Sequence, residues 1–193
     1  MTLDLLSVRR AAEEFPQRLA IRRSLVDRGD LSFSQLAELV EQRIAEIEQE
    51  GRTKIYPLVV HSNTDSLLSV YALLELHIPI LVLHPSLTET EKQRFLAQVD
   101  TFTDPLPEDT AIIVFTSGTT GKPKATILTR KALISSAQSS AKNIPLEEGD
   151  VWQLSISPAR IGGFSIVSRS LIARTAISFA PKFSAKAYTE SWD

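Results

Sequence analysis

Apolar positions along the first hundred residues recur with two different periods. Intervals of three and four residues predict a long amphipathic helix, with Ser34 as its N-cap and Gly51 at its end. The apolar positions of this helix are Leu36, Leu39, Val40, Ile44 and Ile47. Continuous apolar runs at 57–61 and 78–83 predict short buried strands. Strands that alternate with helices through short connections favour a parallel sheet covered by helices.

Caps and turn residues give the other elements of this first part. The predicted elements are a helix over 3–14, a hairpin of 19–21 and 31–33, a helix after Asn63 to about residue 77, and a helix from Thr88 to about residue 99. Thr88 and Glu91 have the spacing of a capping box. His77, between the second of these helices and the next strand, is interpreted as a packing or capping residue.

The second part of the chain alternates in the same way. Residues 100–110 contain two prolines and four acidic residues, a composition typical of a linker. The predicted elements after it are strands at 111–115, 127–128, 151–154 and 176–179, and helices over 131–142 and 164–173. We predict an α/β fold with mostly parallel sheet, or sheets, flanked by helices. Its expected divisions are a first α/β portion (1–99), a linker (100–110) and a second portion (111–193).

A run of hydroxyl residues and glycine follows the predicted strand at 111–115. Glycines let a ligand approach the backbone, and backbone N–H groups, hydroxyls and ammonium groups all donate hydrogen bonds to anions. The run and its two lysines are Thr116, Ser117, Gly118, Thr119, Thr120, Gly121, Lys122 and Lys124. A triphosphate is a ligand that would satisfy these donors, and we predict a phosphate-binding loop here.

Composition alone does not decide the role of this loop. A surface loop rich in serine, threonine and glycine explains the same residues equally well. The run also departs from the G-x-x-x-x-G-K-[ST] pattern, because the residue five before Gly121 is Thr116 and Lys122 is followed by Pro123. The usual nucleotide-hydrolase geometry is therefore not implied.

The order of the residues favours the phosphate-binding interpretation. T-S-G-T-T-G-K-P-K resembles the phosphate-binding motif of the adenylate-forming superfamily, which comprises acyl-CoA synthetases, peptide-synthetase adenylation domains and luciferases. That family usually has glycine after the second lysine, where this chain has Ala125. Alanine is small, so we expect little loss of function unless the position requires a positive φ.

A second motif, P-A-R-I-G-G-F-S-I-V-S-R, begins at Pro158. It resembles the segment of the family that contributes to the acyl pocket, and its Gly162, Gly163 and Arg169 resemble the o-succinylbenzoate–CoA ligase branch. The resemblance implies that Arg160, Gly162 and Gly163 belong to the substrate pocket. Arg160 replaces the histidine usual in the family, and a guanidinium can bind a carboxylate or phosphate through two hydrogen bonds. An exposed arginine on a loop is the equally weighted alternative.

The resemblance implies an ATP-dependent, AMP-forming carboxylic acid–CoA ligase that acts through an acyl-adenylate, in menaquinone biosynthesis. It implies ATP and Mg²⁺ at the phosphate loop, and a small-molecule acid and coenzyme A as substrates. The adenine-stacking motif, the ribose-binding aspartate and the C-terminal lysine of the family are not found. We therefore expect this chain to be the N-terminal part of a ligase, without a complete set of catalytic residues of its own. Alone it should be inactive, and activity would need the C-terminal portion or a complementing chain.

Charge and composition restrict the other function classes. The chain has 193 residues, 43% hydrophobic and 23% charged, with a net charge of −2, so no general attraction to nucleic acid or anionic membranes is expected. There are no cysteines, which excludes disulfides and thiolate metal sites. The three histidines lack metal-ligand spacing, and no apolar run is long enough for a membrane span. No secretory signal is evident, so a cytoplasmic protein is expected.

Two other functions remain as alternatives. A non-catalytic nucleotide-binding or interaction module could keep the same fold without the chemistry. A GTPase-like or kinase-like phosphotransferase is the third class, and the Lys-Pro pair after the glycine argues against it.

Overall fold

The structure, a computed structural model, describes residues 4–22, 29–51, 53–116 and 123–179. The helices are α1 (Val8–Glu14), α2 (Phe33–Glu50), α3 (Thr64–Glu75), α4 (Glu89–Asp100), α5 (Arg130–Ala141) and α6 (Ile161–Ala173). The strands are β1 (Leu19–Ile21), β2 (Leu31–Ser32), β3 (Tyr56–Val59), β4 (Ile80–Leu83), β5 (Thr110–Thr116), β6 (Lys124–Thr129), β7 (Val151–Leu154) and β8 (Ala176–Phe179). None of the described helices is long and apolar enough to cross a membrane.

The described strands form two sheets of four. The first sheet has the order β2-β1-β8-β7, and the second has the order β3-β4-β5-β6. Each sheet has three parallel strands and one antiparallel strand, which is β2 in the first sheet and β6 in the second. The predicted α/β class with mostly parallel sheets is confirmed. Both sheets combine strands from before and after the segment 101–109, and the division into portions stays a prediction.

Local sequence sets both ends of helix α2. The Ser32 hydroxyl accepts from the Gln35 N–H while the Gln35 side chain accepts from the Ser32 N–H, which completes a capping box. The predicted N-cap, Ser34, is therefore wrong by two residues, because β2 ends at Ser32 and the helix begins immediately. The predicted end is confirmed, since Gly51 has φ of 94°, which glycine adopts without strain.

The other predicted boundaries have mixed outcomes. The capping box of Thr88 and Glu91 is confirmed at the start of α4, and β7 and β8 have their predicted bounds. Helix α1 is shorter than predicted, since Ser7 caps it and Val8 begins it. His77 has φ of 55° just after α3, the left-handed position at which helices commonly end with glycine. The capping interpretation of His77 is thereby confirmed.

The two central strands of the second sheet, β4 and β5, are buried on both faces, as in most parallel sheets. Leu81 and Ile113 point to one face, where they pack with Phe95 of α4. Their neighbours Val82 and Ile112 point to the other face and join the main core formed with α1, α2, α3, α5 and α6. The carboxyl ends of β3, β4 and β5 therefore emerge together from a buried sheet at one edge.

Two buried arginines hold the N-terminal segment against the rest of the fold. Arg130 at the start of α5 donates to both carboxylate oxygens of Asp4 at 2.7 Å and to the Leu74 carbonyl at 2.8 Å. Arg174, just after α6, donates to Glu14 at 2.9 Å and to the Leu5 carbonyl at 3.1 Å. Segment 4–14 is thus tied to both α5 and α6.

We expect Asp4→Ala to lower the free energy of unfolding by about 2 kcal/mol, because it leaves a guanidinium that is only 5% exposed without its anion. The figure is below that for a fully buried pair, since the Asp4 side chain is 35% exposed. Urea denaturation followed by circular dichroism measures the change.

Glu41→Ala is the matched control for this experiment. Glu41 pairs with Arg9, and their side chains are 49% and 47% exposed, so its removal should cost less than about 1 kcal/mol. Equal losses for the two variants would contradict a structural role for the buried pair.

Candidate functional site

The predicted phosphate loop is carried by the antiparallel pair of β5 and β6. Thr116 at the end of β5 lies opposite Lys124 at the start of β6, and the Thr116 hydroxyl donates to the Lys124 carbonyl at 3.4 Å. Both residues are exposed. The connecting residues of the prediction, which are Ser117, Gly118, Thr119, Thr120, Gly121 and Lys122, lie outside the described part of the chain.

The base of the loop is fixed by aromatic packing. The rings of Phe115 and Phe95 stack with centroids 4.0 Å apart and an interplanar angle of 13°. Ala125 pairs with Phe115 across the two strands and is not among the described residues with positive φ. Because this position needs no left-handed backbone, alanine in place of the family's glycine introduces no strain there.

Histidines lie at the same sheet edge as Thr116. Leu58, Val82 and Val114 are aligned across β3, β4 and β5. Two residues further along, the parallel register brings Val60, His84 and Thr116 into one row, and His61 follows immediately. This edge, where the carboxyl ends of parallel strands meet, is the usual ligand side of such sheets. Sequence reasoning considered only metal-ligand spacing and missed these histidines, although both follow apolar strands.

His84 is held in a defined orientation. Its Nδ1 accepts from the Ser86 N–H at 3.2 Å and lies 2.7 Å from the Ser86 hydroxyl. Burial lowers the pKa of His84, and the positive charges of Arg160 and His61 lower this pKa further. Arg160 is thus close enough to His84 for its charge to act on the imidazole.

Arg160 is the N-cap residue of α6, and its side chain makes no capping hydrogen bond. This side chain is exposed, and its guanidinium forms no hydrogen bond or ion pair with any described residue. A positive side chain at a helix N-terminus lies at the positive end of the helix dipole, which is unfavourable without an anion. Arg160 and the first turn of α6 are therefore arranged to attract an anion at the sheet edge.

The predicted start of the helix at residue 164 is three residues late. Helix α6 begins at Ile161, so Gly162 and Gly163 are in its first turn and not in a loop. The helix was predicted to start after the two glycines because glycine has a low helix propensity. Close packing overrides this propensity here. A Cβ on Gly163 would overlap the backbone carbonyl oxygens of Ser157 and Ile156, the latter at 2.5 Å.

Gly162 has a different environment from Gly163. It is exposed, and a Cβ there would only touch the Ile156 side chain at 3.9 Å. Gly163 is thus required for packing, whereas a small side chain at Gly162 would be accommodated against Ile156.

Arg169, in the middle of α6, lines a cavity that Arg160 does not line. Its guanidinium carbon lies 5.8 Å from the centre of the Trp152 ring, and its buried Nε has no hydrogen-bond partner among the described residues. The cavity has a volume of about 290 Å³ and is enclosed by α5, α6 and residues 144–146. The structure therefore separates Arg169 from Arg160.

Comparison with known proteins decides the family. The model of the AMP-binding enzyme family matches residues 92–192, which are 101 of the 193 residues. This chain belongs to the AMP-binding enzyme family. The match begins inside α4 and includes the predicted phosphate loop, helices α5 and α6, and strands β5 to β8.

Curated members of the family give similar segments. The 2-succinylbenzoate–CoA ligase of Geobacillus sp. (strain WCH70) is 40% identical over 83 residues, which are 43% of this chain and 17% of that protein. The same enzyme of Bacillus cereus (strain Q1) is 36% identical over 78 residues, 40% of this chain and 16% of that protein. These matches span about a sixth of the relatives' length.

Solved structures share the fold over nearly the whole chain. The o-succinylbenzoate coenzyme A synthetase (MenE) of Bacillus subtilis in complex with AMP has a TM-score of 0.83 and 20% identity, and covers 95% of this chain. The inhibitor-bound N-terminal domain of FACL13 from Mycobacterium tuberculosis has a TM-score of 0.82 and 17% identity, and covers all of this chain. This chain spans 57% and 60% of those two structures.

We expect Gly163→Ala to lower the free energy of unfolding by more than about 3 kcal/mol, because the added methyl group displaces backbone carbonyls. Gly162→Ala should leave stability unchanged or raise it by up to about 1 kcal/mol, as usual for alanine in a helix. Thermal or urea denaturation of the two variants measures both. Similar losses at the two glycines would show that α6 does not begin as described.

Arg160→Gln should raise the pKa of His84, since it removes a positive charge that disfavours the imidazolium. Titration of the His84 ring protons by NMR measures the change. Arg94→Gln is the control, because Arg94 is an exposed arginine of α4 that does not act on His84. An unchanged His84 titration in Arg160→Gln would place Arg160 away from the sheet edge.

Proposed function

We propose that this chain is part of an AMP-forming carboxylic acid–CoA ligase that acts on o-succinylbenzoate or a similar aromatic acid in menaquinone biosynthesis. The observation that carries the proposal is the hydroxyl-and-glycine loop at the carboxyl end of β5, at the edge to which Arg160 is also brought. The matched segments of 2-succinylbenzoate–CoA ligases support the choice of acid.

The phosphate loop would bind the β- and γ-phosphates of ATP. The hydrogen-bond donors of the loop are its hydroxyls, its backbone N–H groups and its two lysines. Because Thr116 and Lys124 are paired across β5 and β6, the ends of the loop are fixed, which reduces the conformational entropy lost on binding. The hard oxygen atoms of the phosphates and hydroxyls suit Mg²⁺. One Bacillus subtilis relative of this fold was solved with ATP and magnesium ion. Bound Mg²⁺ would offset phosphate charge.

Arg160, Gly162 and the start of α6 would meet the acid. The guanidinium has no ion pair among the described residues, and the unfavourable placement at the helix N-terminus is relieved when an anion binds. Gly162 leaves room for the substrate beside this charge. A carboxylate held here would lie at the same edge as the nucleotide phosphates.

The chemistry follows from bringing the two anions together. A carboxylate oxygen of the acid attacks the α-phosphorus of ATP, the bond to the β-phosphate oxygen breaks, and pyrophosphate leaves with that electron pair. The thiol of coenzyme A then attacks the acyl carbon, AMP leaves, and one proton is released. The residues described here orient the anions and offset their charge, which is the main requirement of such a transfer. The proposed setting is cytoplasmic, with small-molecule partners.

The chain spans less than two thirds of the solved structures it matches. We propose that ATP binding resides in this part and that turnover needs the remaining length of the enzyme. If the chain were instead a non-catalytic nucleotide-binding module, the full-length protein would bind ATP without acid-dependent release of pyrophosphate.

We expect Lys124→Gln to raise the Kd of the chain for ATP by about tenfold or more, because it removes a charge-assisted contact to phosphate. Isothermal titration calorimetry measures the affinity. Lys54→Gln, an exposed lysine before β3 at the opposite end of the sheet, is the control and should bind ATP normally. Equal affinities for both variants would remove Lys124 from the site.

Pyrophosphate release from ATP tests the reaction itself. In the full-length protein, release should depend on o-succinylbenzoate within a panel of aromatic and fatty acids. In Arg160→Ala the KM for the acid should rise, by about tenfold for the loss of a charge-assisted pair. Release that no acid stimulates would contradict the ligase, and an unchanged KM would contradict the role of Arg160.

A further inference from the structure

A cavity with several charged lining residues lies at the amino-terminal edge of the first sheet. It has a volume of about 200 Å³, room for several water molecules of about 30 Å³ each. Its lining residues are Arg18, Leu19, Arg22, Glu148, Gly149, Asp150, Arg174, Thr175 and Ala176. Three arginines and two acidic residues thus line a cavity that the proposed ligase reaction does not use.

This cavity is at the opposite edge from the candidate active site. Asp150 and Thr175 immediately precede the parallel strands β7 and β8, and Arg18 immediately precedes β1. Arg160, in contrast, follows the carboxyl end of β7. Parallel strands place their amino ends at one edge of a sheet and their carboxyl ends at the other. The two sites are therefore separated by the length of the strands.

Three buried polar atoms of the lining side chains have no hydrogen-bond partner among the described residues. They are Nε of Arg18, Nη2 of Arg174 and Oγ1 of Thr175. Arg174 and Thr175 are only 4% and 3% exposed. A buried donor without a partner is costly, and guanidinium groups can only donate. Three neighbouring donors call for a ligand rich in acceptors.

The two guanidinium groups are already oriented. Glu148 accepts from Nη2 of Arg18 at 2.8 Å, and the guanidinium of Arg18 also stacks over the Phe15 ring at 3.7 Å. Glu14 accepts from Nε of Arg174 at 2.9 Å. Nη1 of Arg174 also donates to the carbonyls of Leu5 and Leu171, at 3.1 and 2.7 Å. Each guanidinium is thus held in place with one nitrogen unpartnered, and that donor would lose little conformational entropy on binding a ligand.

We propose that this cavity binds a small oxyanion, a phosphate or a carboxylate, through Arg18, Arg174 and Thr175. An oxyanion supplies several acceptor lone pairs and a negative charge to a lining with one excess positive residue, and its hydrogen bonds to guanidinium groups are charge-assisted. Exposed Arg22, which lines the same cavity, accounts for that excess positive charge. The proposal does not depend on the ligase function.

Calorimetric titration of the 193-residue chain with inorganic phosphate and, separately, with malonate tests the proposal at constant ionic strength. We expect saturable binding of at least one anion, and the tighter of the two identifies the ligand class. Thr175→Val, which removes the hydroxyl with little change of shape, and Arg18→Gln should each weaken it by about tenfold. Thr175→Ser keeps the hydroxyl and should bind the anion like the unchanged chain.

Three control variants separate this cavity from other anion sites. Thr90→Val and Arg94→Gln alter exposed residues of α4 and should bind the anion like the unchanged chain. Lys124→Gln alters the phosphate loop and should also keep this binding. Three outcomes would overturn the proposal. They are loss of binding in Lys124→Gln alone, normal binding in both Thr175→Val and Arg18→Gln, and no binding of either anion by the unchanged chain.

Discussion

The pairing of β4 between β3 and β5 determines where the candidate active site lies. All four residues of β4 are buried, and its neighbours run parallel to it on both sides. The interior of these strands therefore consists of core residues, and the polar side chains of the candidate site lie at or just beyond their carboxyl ends. This alignment places His84 beside Thr116, and the charge of Arg160, which lies at the start of α6, acts on His84. Ligand binding at the carboxyl edge follows from the parallel arrangement.

The rest of the fold is held around this sheet by buried charge. Arg130 and Arg174 each combine a carboxylate with a backbone carbonyl, and both partners come partly from segment 4–14. At the N-terminus of α1, which is part of this segment, Glu75 accepts from the N–H groups of Val8 and Arg9. A carboxylate at a helix N-terminus is favoured by the dipole. The N-terminal segment is thus part of the structural core.

Local signals in the sequence predicted much of the fold. The apolar runs located every described strand after residue 50, although β6 is longer than predicted. The capping box at Thr88 was evident from the residue spacing alone. The order of residues from Thr116 to Lys124 was distinctive enough to indicate the family that the comparisons then established. These features depend on neighbours in sequence, which the sequence shows directly.

Features that depend on distant residues could not be predicted in this way. The division into two sheets pairs β1 with β8 across most of the chain, and no local pattern specifies that. Gly163 is helical because Ser157 folds back against it, which overrides its low propensity. His61 and His84 come together only through the register of two strands. The cavity beneath Arg174 and Thr175 likewise combines three separate segments.

The central claim is that residues 116–124 bind the phosphate tail of a nucleotide. Amide hydrogen exchange of the 193-residue chain, followed by mass spectrometry with ATP, with AMP and without nucleotide, tests it most directly. ATP should slow exchange in peptides that cover 117–122, and AMP should not, because it lacks the β- and γ-phosphates. Unchanged exchange in these peptides with ATP, or equal protection by AMP, would contradict the claim.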